Sequence, residues 1–392
     1  MTAQPGTSSR TALKFVVLLG VVSLFADMTY EAARSITGPY LALLGASGTI
    51  VGIVAGFGEL IGFALRLLSG YLVDKTGQYW GLTIVGYGIN MVAVPLLALA
   101  GHWELAAFFI VAERMGKAIR TPARDAMLSH ATAEMGRGWG FGLHEALDQV
   151  GAMLGPLIVA TVLYFNGSYQ TGFAILAIPA VLTLSVLIAA RILYPTPRDL
   201  ETRVAQFETE GFPRVFWLYV AAAACVAAGY ADFPLIAYHF GKASTVPEVW
   251  IPVFYAIAMG VDALAALIFG RLFDRVGISI LIVAVLLSSL FAPLVFQGGF
   301  YAALGGMILW GIGMGAQESV MRAGVAEMVS PNKRGSAYGV FSMQFGVYWF
   351  LGSVVMGWLY DVSIPLLVAF SVVTQVQAVP LFFMARKHEA LS

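Results

Sequence analysis

The sequence predicts an all-α membrane protein in which twelve transmembrane helices form two pseudo-symmetric six-helix bundles. Three observations predict it. The first is composition: of 392 residues, 59% are hydrophobic and 11% are charged, and the mean hydropathy is +0.82. A soluble domain carries about 25% charged residues, so a chain this apolar would aggregate in water and requires lipid as its solvent. The second is run length: the apolar residues come in stretches near the roughly 20 that a helix needs to cross a bilayer. The third is a repeat. Gly70-Tyr71-Leu72-Val73-Asp74-Lys75-Thr76-Gly77 returns as Gly270-Arg271-Leu272-Phe273-Asp274-Arg275-Val276-Gly277. Gly, Leu, Asp, a base and Gly hold the same offsets, and each copy ends a long apolar run. An octapeptide repeated at that distance marks two related halves.

Cut at Gly, Pro and charge clusters, the expected spans are 14–40, 48–72, 81–100, 104–126, 138–163, 170–192, 214–240, 248–271, 278–296, 300–325, 336–358 and 363–385. Lys14 followed by Phe15 to Leu24 has the form of a signal peptide. No small-x-small cleavage site precedes the next polar loop, and more apolar runs follow, so it is read as span 1. The longest polar interruption, Tyr194 to Pro213, contains Arg198, Asp199, Glu201, Arg203, Glu208 and Glu210. It divides the chain into bundles 1–193 and 214–392, joined by a cytoplasmic linker, 194–213. With the N-terminus inside, fifteen of the 22 Lys and Arg fall on inside ends and loops, six within spans, and only Lys242 in an outside loop. Cytoplasmic loops carry the excess of bases, so both termini are expected in the cytoplasm.

The halves also match where Arg137-Gly138 opens span 5 and Arg334-Gly335 opens span 11, followed by Gly140-Phe141-Gly142 and Ala337-Tyr338-Gly339. With the octapeptide, these features make the chain resemble the major facilitator superfamily. Its loop between helices 2 and 3 carries G-x-L-x-D-R-x-G, echoed between helices 8 and 9. The resemblance extends over nearly the whole chain. It implies two bundles related by an axis along the membrane normal. It also implies that Asp74 locks the halves on the cytoplasmic side when the site faces outward. By position Asp274 is the second gate residue, with Arg124 or Arg137 as partner of Asp74. The other reading makes both carboxylates solvated turn residues.

Charges inside the spans mark the candidate site. A charge at the bilayer centre costs about 2.5–3.5 kcal/mol on insertion scales, so each must face a cavity or a partner. In span 1, Asp27, Glu31 and Arg34 stand at i, i+4 and i+7 on one face, with Tyr30 between them. They are read as a substrate or proton site; Glu31 with Arg34 as a structural ion pair is the alternative. Span 4 carries a stripe of Glu113, Lys117, Arg120 and Arg124, with Arg114 and Asp125 beside it and Pro122 expected to kink its inner end. Arg114 and Gly116 resemble the superfamily's span-4 pattern tied to proton coupling. Span 5 carries His144, Glu145 and Asp148, then Gly151-x-x-x-Gly155-Pro156. The glycines are spaced for close helix approach, and the motif resembles one commoner in exporters that exchange protons. Asp148 is expected to pair with Lys117 or Arg120. The second half is sparser: Asp232 and His239 at i, i+7 in span 7, Asp262 in span 8, and Glu318 with Arg322 in span 10. Glu59 and Arg66 share a face of span 2. Aromatic residues of the second half, Tyr255, Trp310, Phe341, Phe345, Tyr348 and Trp349, are expected to supply apolar or stacking contacts, Tyr348 and Trp310 being singled out; core or lipid-facing positions are the other reading for most of them.

No phosphate-binding loop G-x-x-x-x-G-K-[ST], no G-x-S-x-G elbow and no His/Cys metal cluster occurs in the sequence. The lone Cys225 excludes an internal disulfide, and zero net charge gives no pull toward nucleic acid. No enzyme activity and no cofactor are expected. The reading is a proton-coupled secondary transporter with Asp27, Glu31, Glu113 and Asp148 carrying protons. Tyr30, Arg34, Arg114, Lys117, Arg120 and His144 would bind substrate. Export of a small organic or amphiphilic compound leads, from a bacterial inner membrane and as a monomer. Uptake or exchange of an anionic metabolite is the alternative, because the bases can hold carboxylate or phosphate. Which applies depends on whether those bases are already neutralised. A membrane sensor that transports nothing is the remote third reading.

Overall fold

A computed structural model describes residues 9–132, 137–165, 167–195, 211–329 and 334–389. All twelve spans form, and no strand occurs among the described residues. Spans 1 to 5 are Ser9–Leu43, Gly48–Thr76, Tyr79–Leu96 with a 3₁₀ turn Leu97–Leu99, Trp103–Thr132 and Arg137–Tyr164. Span 6 is Tyr169–Ile175 and Ala177–Leu193; span 7 is Arg214–Gly229 and Phe233–Ala243; span 8 is Trp250–Val276. Span 9 is Ser279–Ser289 and Phe291–Gln297. Span 10 joins Phe300–Gly315 to Met321–Met328 through a π turn, Ala316–Val320. Spans 11 and 12 are Arg334–Val362 and Ile364–Glu389. Ten of these are apolar enough to cross a membrane on composition. The other two are span 4, with its charged stripe, and the glycine-rich span 10.

The repeated octapeptide turns out to be a helix C-cap used twice. Gly77 and Gly277 close spans 2 and 8 with φ 60° and 61°, and their N–H groups donate to Val73 O and Phe273 O, both at 2.8 Å. A side chain at this left-handed φ would clash with the carbonyl that follows it, which is why glycine stands at both ends.

Proline leaves its mark in two ways. Pro122 lies inside span 4 and has no N–H for the carbonyl of Ala118. The helix continues because the Ser69 hydroxyl of span 2 donates to that oxygen at 3.0 Å. Span 7, expected as one helix over 214–240, is instead broken between Gly229 and Phe233. Pro234 at the start of the second piece removes a donor that a continuous helix would need. The freed carbonyls are served by the other helices of the same half: Ser371 Oγ (2.6 Å) and Gln375 Nε2 (3.1 Å) donate to Gly229 O, and Trp310 Nε1 donates to Ala231 O at 2.9 Å. The i, i+7 spacing of Asp232 and His239 is therefore not a helical one, because Asp232 stands at the helix's N-cap.

Packing sets the depth of the site. A Cβ added to Gly151 or Gly155 would fall 2.2 Å from Leu24 O or 2.3 Å from Met28 O, so span 5 rests directly on the backbone of span 1. Exposed Leu68, Val85, Phe108, Ile192, Leu267 and Trp358 belong to the face offered to lipid. Twelve crossings bring both chain ends to one side, here the terminal side; the loops 43–48, 243–250 and 362–364 lie on the other, the distal side. The halves meet along spans 2 and 11 from Gly48 and Asp361 at the distal end to Phe63 and Phe345 near mid-depth. Span 1 meets span 7 where the backbone at Gly38 touches Pro234 and Tyr238. The polar segment 194–213 falls largely outside the described residues, as do the side chains of Asp74 and Arg137.

Candidate functional site

Past Phe63 and Phe345, between the halves, lies a cavity of about 170 Å³. Spans 1, 2 and 4 give it Glu31, Arg34, Glu59, Arg66, Arg114 and Lys117. Spans 10 and 11 give it Met314, Gln317, Glu318, Phe341, Phe345 and Trp349. One wall is charged; the other carries three aromatic rings on span 11 beside Met314, Gln317 and Glu318 of span 10.

The charged wall is built from helix spacing. Span 1 places Asp27, Tyr30, Glu31 and Arg34 within two turns. The Tyr30 hydroxyl donates to Asp27 Oδ1. Glu31 accepts from Tyr255 of span 8 at 2.5 Å through Oε2, and Lys117 Nζ stands 3.8 Å from its Oε1. Arg34 donates to Glu59 at 3.1 Å and, across the halves, to Asp232 at 2.8 Å. Arg114 bridges Glu59 and Glu113, each at 3.4 Å. Asn90 Nδ2 donates to Glu113 Oε1 at 2.8 Å and fixes that carboxylate from span 3. The Lys117 ammonium also lies 3.9 Å from the centre of the Tyr30 ring, a cation–π contact. Taking such charges out of water is costly, and only good mutual pairing offsets it. Here the pairing is dense: Arg34, Arg114 and Lys117 each have at least one carboxylate within 4 Å.

A second cluster lies behind the first, nearer the terminal side. Arg124 donates to Asp125 at 2.8 Å and to Ser23 Oγ at 3.1 Å, and stands 3.9 Å from Asp148. His144 joins Ser23 Oγ (2.9 Å, through Nε2) to Asp148 (3.5 Å, through Nδ1). Between the clusters Arg120 is fully buried. Its guanidinium lies 4.2 Å from the Tyr87 ring centre and 5.7 Å from that of Tyr30, with no hydrogen-bond partner for its three nitrogens among the described residues.

The aromatic wall is an i, i+4, i+8 row on span 11. Phe341 and Phe345 stack at 5.8 Å, and Phe345 meets Trp349 at 5.7 Å. Trp349 also donates to Asp232 Oδ2 at 3.2 Å, so the row ends on the carboxylate that holds Arg34. The π turn of span 10 brings Gln317 and Glu318 to the rim; such turns recur at functional sites.

The expected residues separate accordingly. Arg34, Lys117, Arg114 and Glu31 line the main cavity. Tyr30 and Glu113, with Arg34 and Arg114, line a small adjoining space of about 30 Å³. Arg120 and His144, expected to bind substrate, are packed in the interior and line neither space. Asp27 and Asp148 are likewise set behind the wall. The expected pairing of Asp148 with Lys117 or Arg120 is not formed: Lys117 turns to Glu31, and Asp148 takes Arg124 and His144. The Glu31–Arg34 pair is not formed either, because Arg34 is held by Glu59 and Asp232. Arg124, expected as a gate partner, is committed to the inner cluster. Asp274 is exposed on the terminal side, whereas the side chains of Asp74 and Arg137 lie outside the described residues. Tyr348 is 41% exposed and turned from the cavity, while Trp310 is a core residue. Glu59, Asp232, Tyr255 and Trp349 stand out in the sequence for their charge or ring, but it did not disclose that Glu59 and Asp232 hold Arg34, that Tyr255 holds Glu31, or where Trp349 sits. An aromatic row every four residues on span 11 was the available signal for the last.

With this geometry in place, comparison with known proteins is informative. The sequence profile of the Major Facilitator Superfamily matches residues 19–353 and again 233–390. An uncharacterized protein of Mycobacterium tuberculosis is 41% identical over 383 residues, covering 96% of this chain and 94% of its own. An uncharacterized MFS-type transporter of Methanocaldococcus jannaschii is 27% identical over 91% of each chain. The crystal structure of the nucleoside transporter NupG superposes with a TM-score of 0.76 at 15% identity, over 95% of this chain and 98% of that one, a likeness of fold.

Proposed function

Because the chain belongs to the Major Facilitator Superfamily and is a membrane transporter of that type, we propose that it is a proton-coupled secondary transporter exporting a small organic or amphiphilic compound. The observation that carries this reading is the neutralised wall: Arg34, Arg114 and Lys117 face the cavity already matched by Glu31, Glu59, Glu113 and Asp232, and the fourth base of that wall, Arg66, brings its count to four bases and four acids. A wall so balanced has little net attraction for an anion, but it responds strongly to one added proton. Glu31 is the carboxylate placed to receive it, since it lines the cavity and touches both Lys117 and Tyr255. Protonated, it loses its attraction for Lys117 and weakens the contact with span 8 in the other half. Bundles 1–193 and 214–392 then rock about the cavity on the linker 194–213, in alternating access. Asp27, Glu113 and Asp148 stand in reserve behind Glu31 as relay carboxylates. Asp74 and Asp274 would close the terminal side, as the repeated motif suggests, Arg137 being a partner the sequence offers for Asp74. The protein sits as a monomer in a bacterial inner membrane with both termini cytoplasmic, so the cavity loads from the cytoplasm.

A second reading, uptake or exchange of an anionic metabolite, rests on Lys117. Its ammonium is 3.8 Å from Glu31, beyond hydrogen-bond range, and so retains donors for a cargo carboxylate or phosphate.

Liposomes holding the purified protein and a pH-sensitive dye test both. Challenged with a panel of amphiphilic cations and neutral aromatics, wild-type protein should move protons against the compound. Glu31→Gln should abolish pH-driven accumulation and keep downhill exchange. Accumulation that survives Glu31→Gln would remove the coupling role; proton movement in the same direction as an organic anion would replace export with the second reading.

A further inference from the structure

On the distal side, opposite the terminal-side turns after spans 2 and 8, one carboxylate makes three hydrogen bonds across the halves. Asp361, at the end of span 11, accepts from Gly48 N at 3.0 Å, Thr49 N at 2.7 Å and Thr49 Oγ at 2.7 Å. These are the first residues of span 2, whose N–H groups have no partner inside their own helix. The span's own cap, Ser47, serves Ile50 instead, at 3.2 Å. One helix of the first half is thus capped by an acid of the second, 312 residues away, where the helix dipole also favours negative charge.

The seam beside this contact is stripped for close approach. A Cβ on Gly48 would come within 2.7 Å of the Tyr360 ring, and one on Gly52 within 2.3 Å of Ser353 O. Lys242, in the last turn of span 7, lies 5.5 Å from the Tyr360 ring centre and donates to the Tyr238 hydroxyl at 3.1 Å; that hydroxyl in turn donates to Ala46 O across the halves. From this geometry we infer that Asp361 is the distal gate residue: it holds the transporter shut on that side by capping span 2 across the halves, and its three hydrogen bonds must break each time the cavity opens there. Glycines without the acid would leave the helices free to slide apart; the acid gives the closed state polar bonds that the open state lacks.

The inference rests on the alternating-access reading but not on proton coupling or on any cargo, so its test uses the protein alone. In a Cys225→Ser background, spin labels at His102 and Tyr301 report the distal side, and labels at Gln78 and Val276 the terminal side. Asp361→Ala should raise the distal-open population on the order of tenfold, the effect of losing one or two charge-assisted bonds, while the terminal-side distances shorten. Asp361→Asn keeps an acceptor oxygen and should restore most of the closed population. Thr49→Val, which removes only the hydroxyl donor, should shift it in the same direction by about twofold, and serves if the Asp361 variants do not fold. Wild-type distances on both sides in Asp361→Ala, or in Thr49→Val should it stand alone, would overturn the inference. So would broadening on both sides at once, the mark of a loosened fold.

Discussion

The two halves share an architecture and a repeated capping turn, yet they spend their polar side chains differently. In the first half, acids and bases pair with one another: Glu59 with Arg34 and Arg114, Glu31 with Lys117, Asp148 with Arg124. In the second half, polar groups repair backbone. Ser371, Gln375 and Trp310 serve carbonyls freed by the break in span 7, and the Tyr230 hydroxyl donates to Trp310 O. Paired charges rearrange when one proton is added, because removing the charge of one partner leaves the other stranded. Carbonyl repairs are indifferent to pH. Under the proposed function, this contrast favours the first half as the coupling half and the second as a fixed, partly aromatic cargo wall.

The sharpest way to break this division is at Asp232, the residue of the second half drawn into the network of the first. Asp232→Ala leaves Arg34 with Glu59 alone and should lower stability by about 3–5 kcal/mol, the cost of stripping one partner from a buried pair. Thermal unfolding in detergent measures it. Adding Arg34→Ala should recover part of the loss; additive losses would mean that the two residues are energetically separate. Next in size is Phe345→Ala in the aromatic wall. It should raise KM about tenfold, equivalent to about 1.4 kcal/mol, with the proton-to-cargo ratio unchanged. A changed ratio would place coupling in both halves. Smallest is Ser371→Ala. Gly229 O keeps Gln375 as donor, so stability should fall by only about 1 kcal/mol, and the pH dependence of transport should stay as in wild type.

The spans were legible because run length is a property of contiguous residues, and so was the repeat that ends spans 2 and 8, whereas the use of Gly77 and Gly277 as helix caps emerged only from the backbone. Pairing was not legible. Helical spacing brings Arg34 onto the face of Glu31, yet its partners come from 25 and 198 residues away, and nothing in span 1 selects them. The same holds for Asp148: its face was foreseen, but the depth at which span 5 seats on span 1, fixed by Gly151 and Gly155, decides that Arg124 rather than Lys117 is within reach. The break in span 7 did carry a signal, Pro234, hidden by the unbroken apolar run around it. The π turn carried none, since Ala316–Val320 contains neither Pro nor Gly.

That turn gives span 10 a split personality along its length. A π turn winds one residue more than the α-helix around it, and one residue amounts to roughly 100° of rotation. Met321–Met328 is therefore offset from the stripe that an unbroken helix would have continued. Above the turn, span 10 shows small and apolar residues to span 8 and to the cavity; below it, a different set of positions is brought inward. A single helix thus addresses two neighbourhoods that a regular helix of the same sequence would have merged into one.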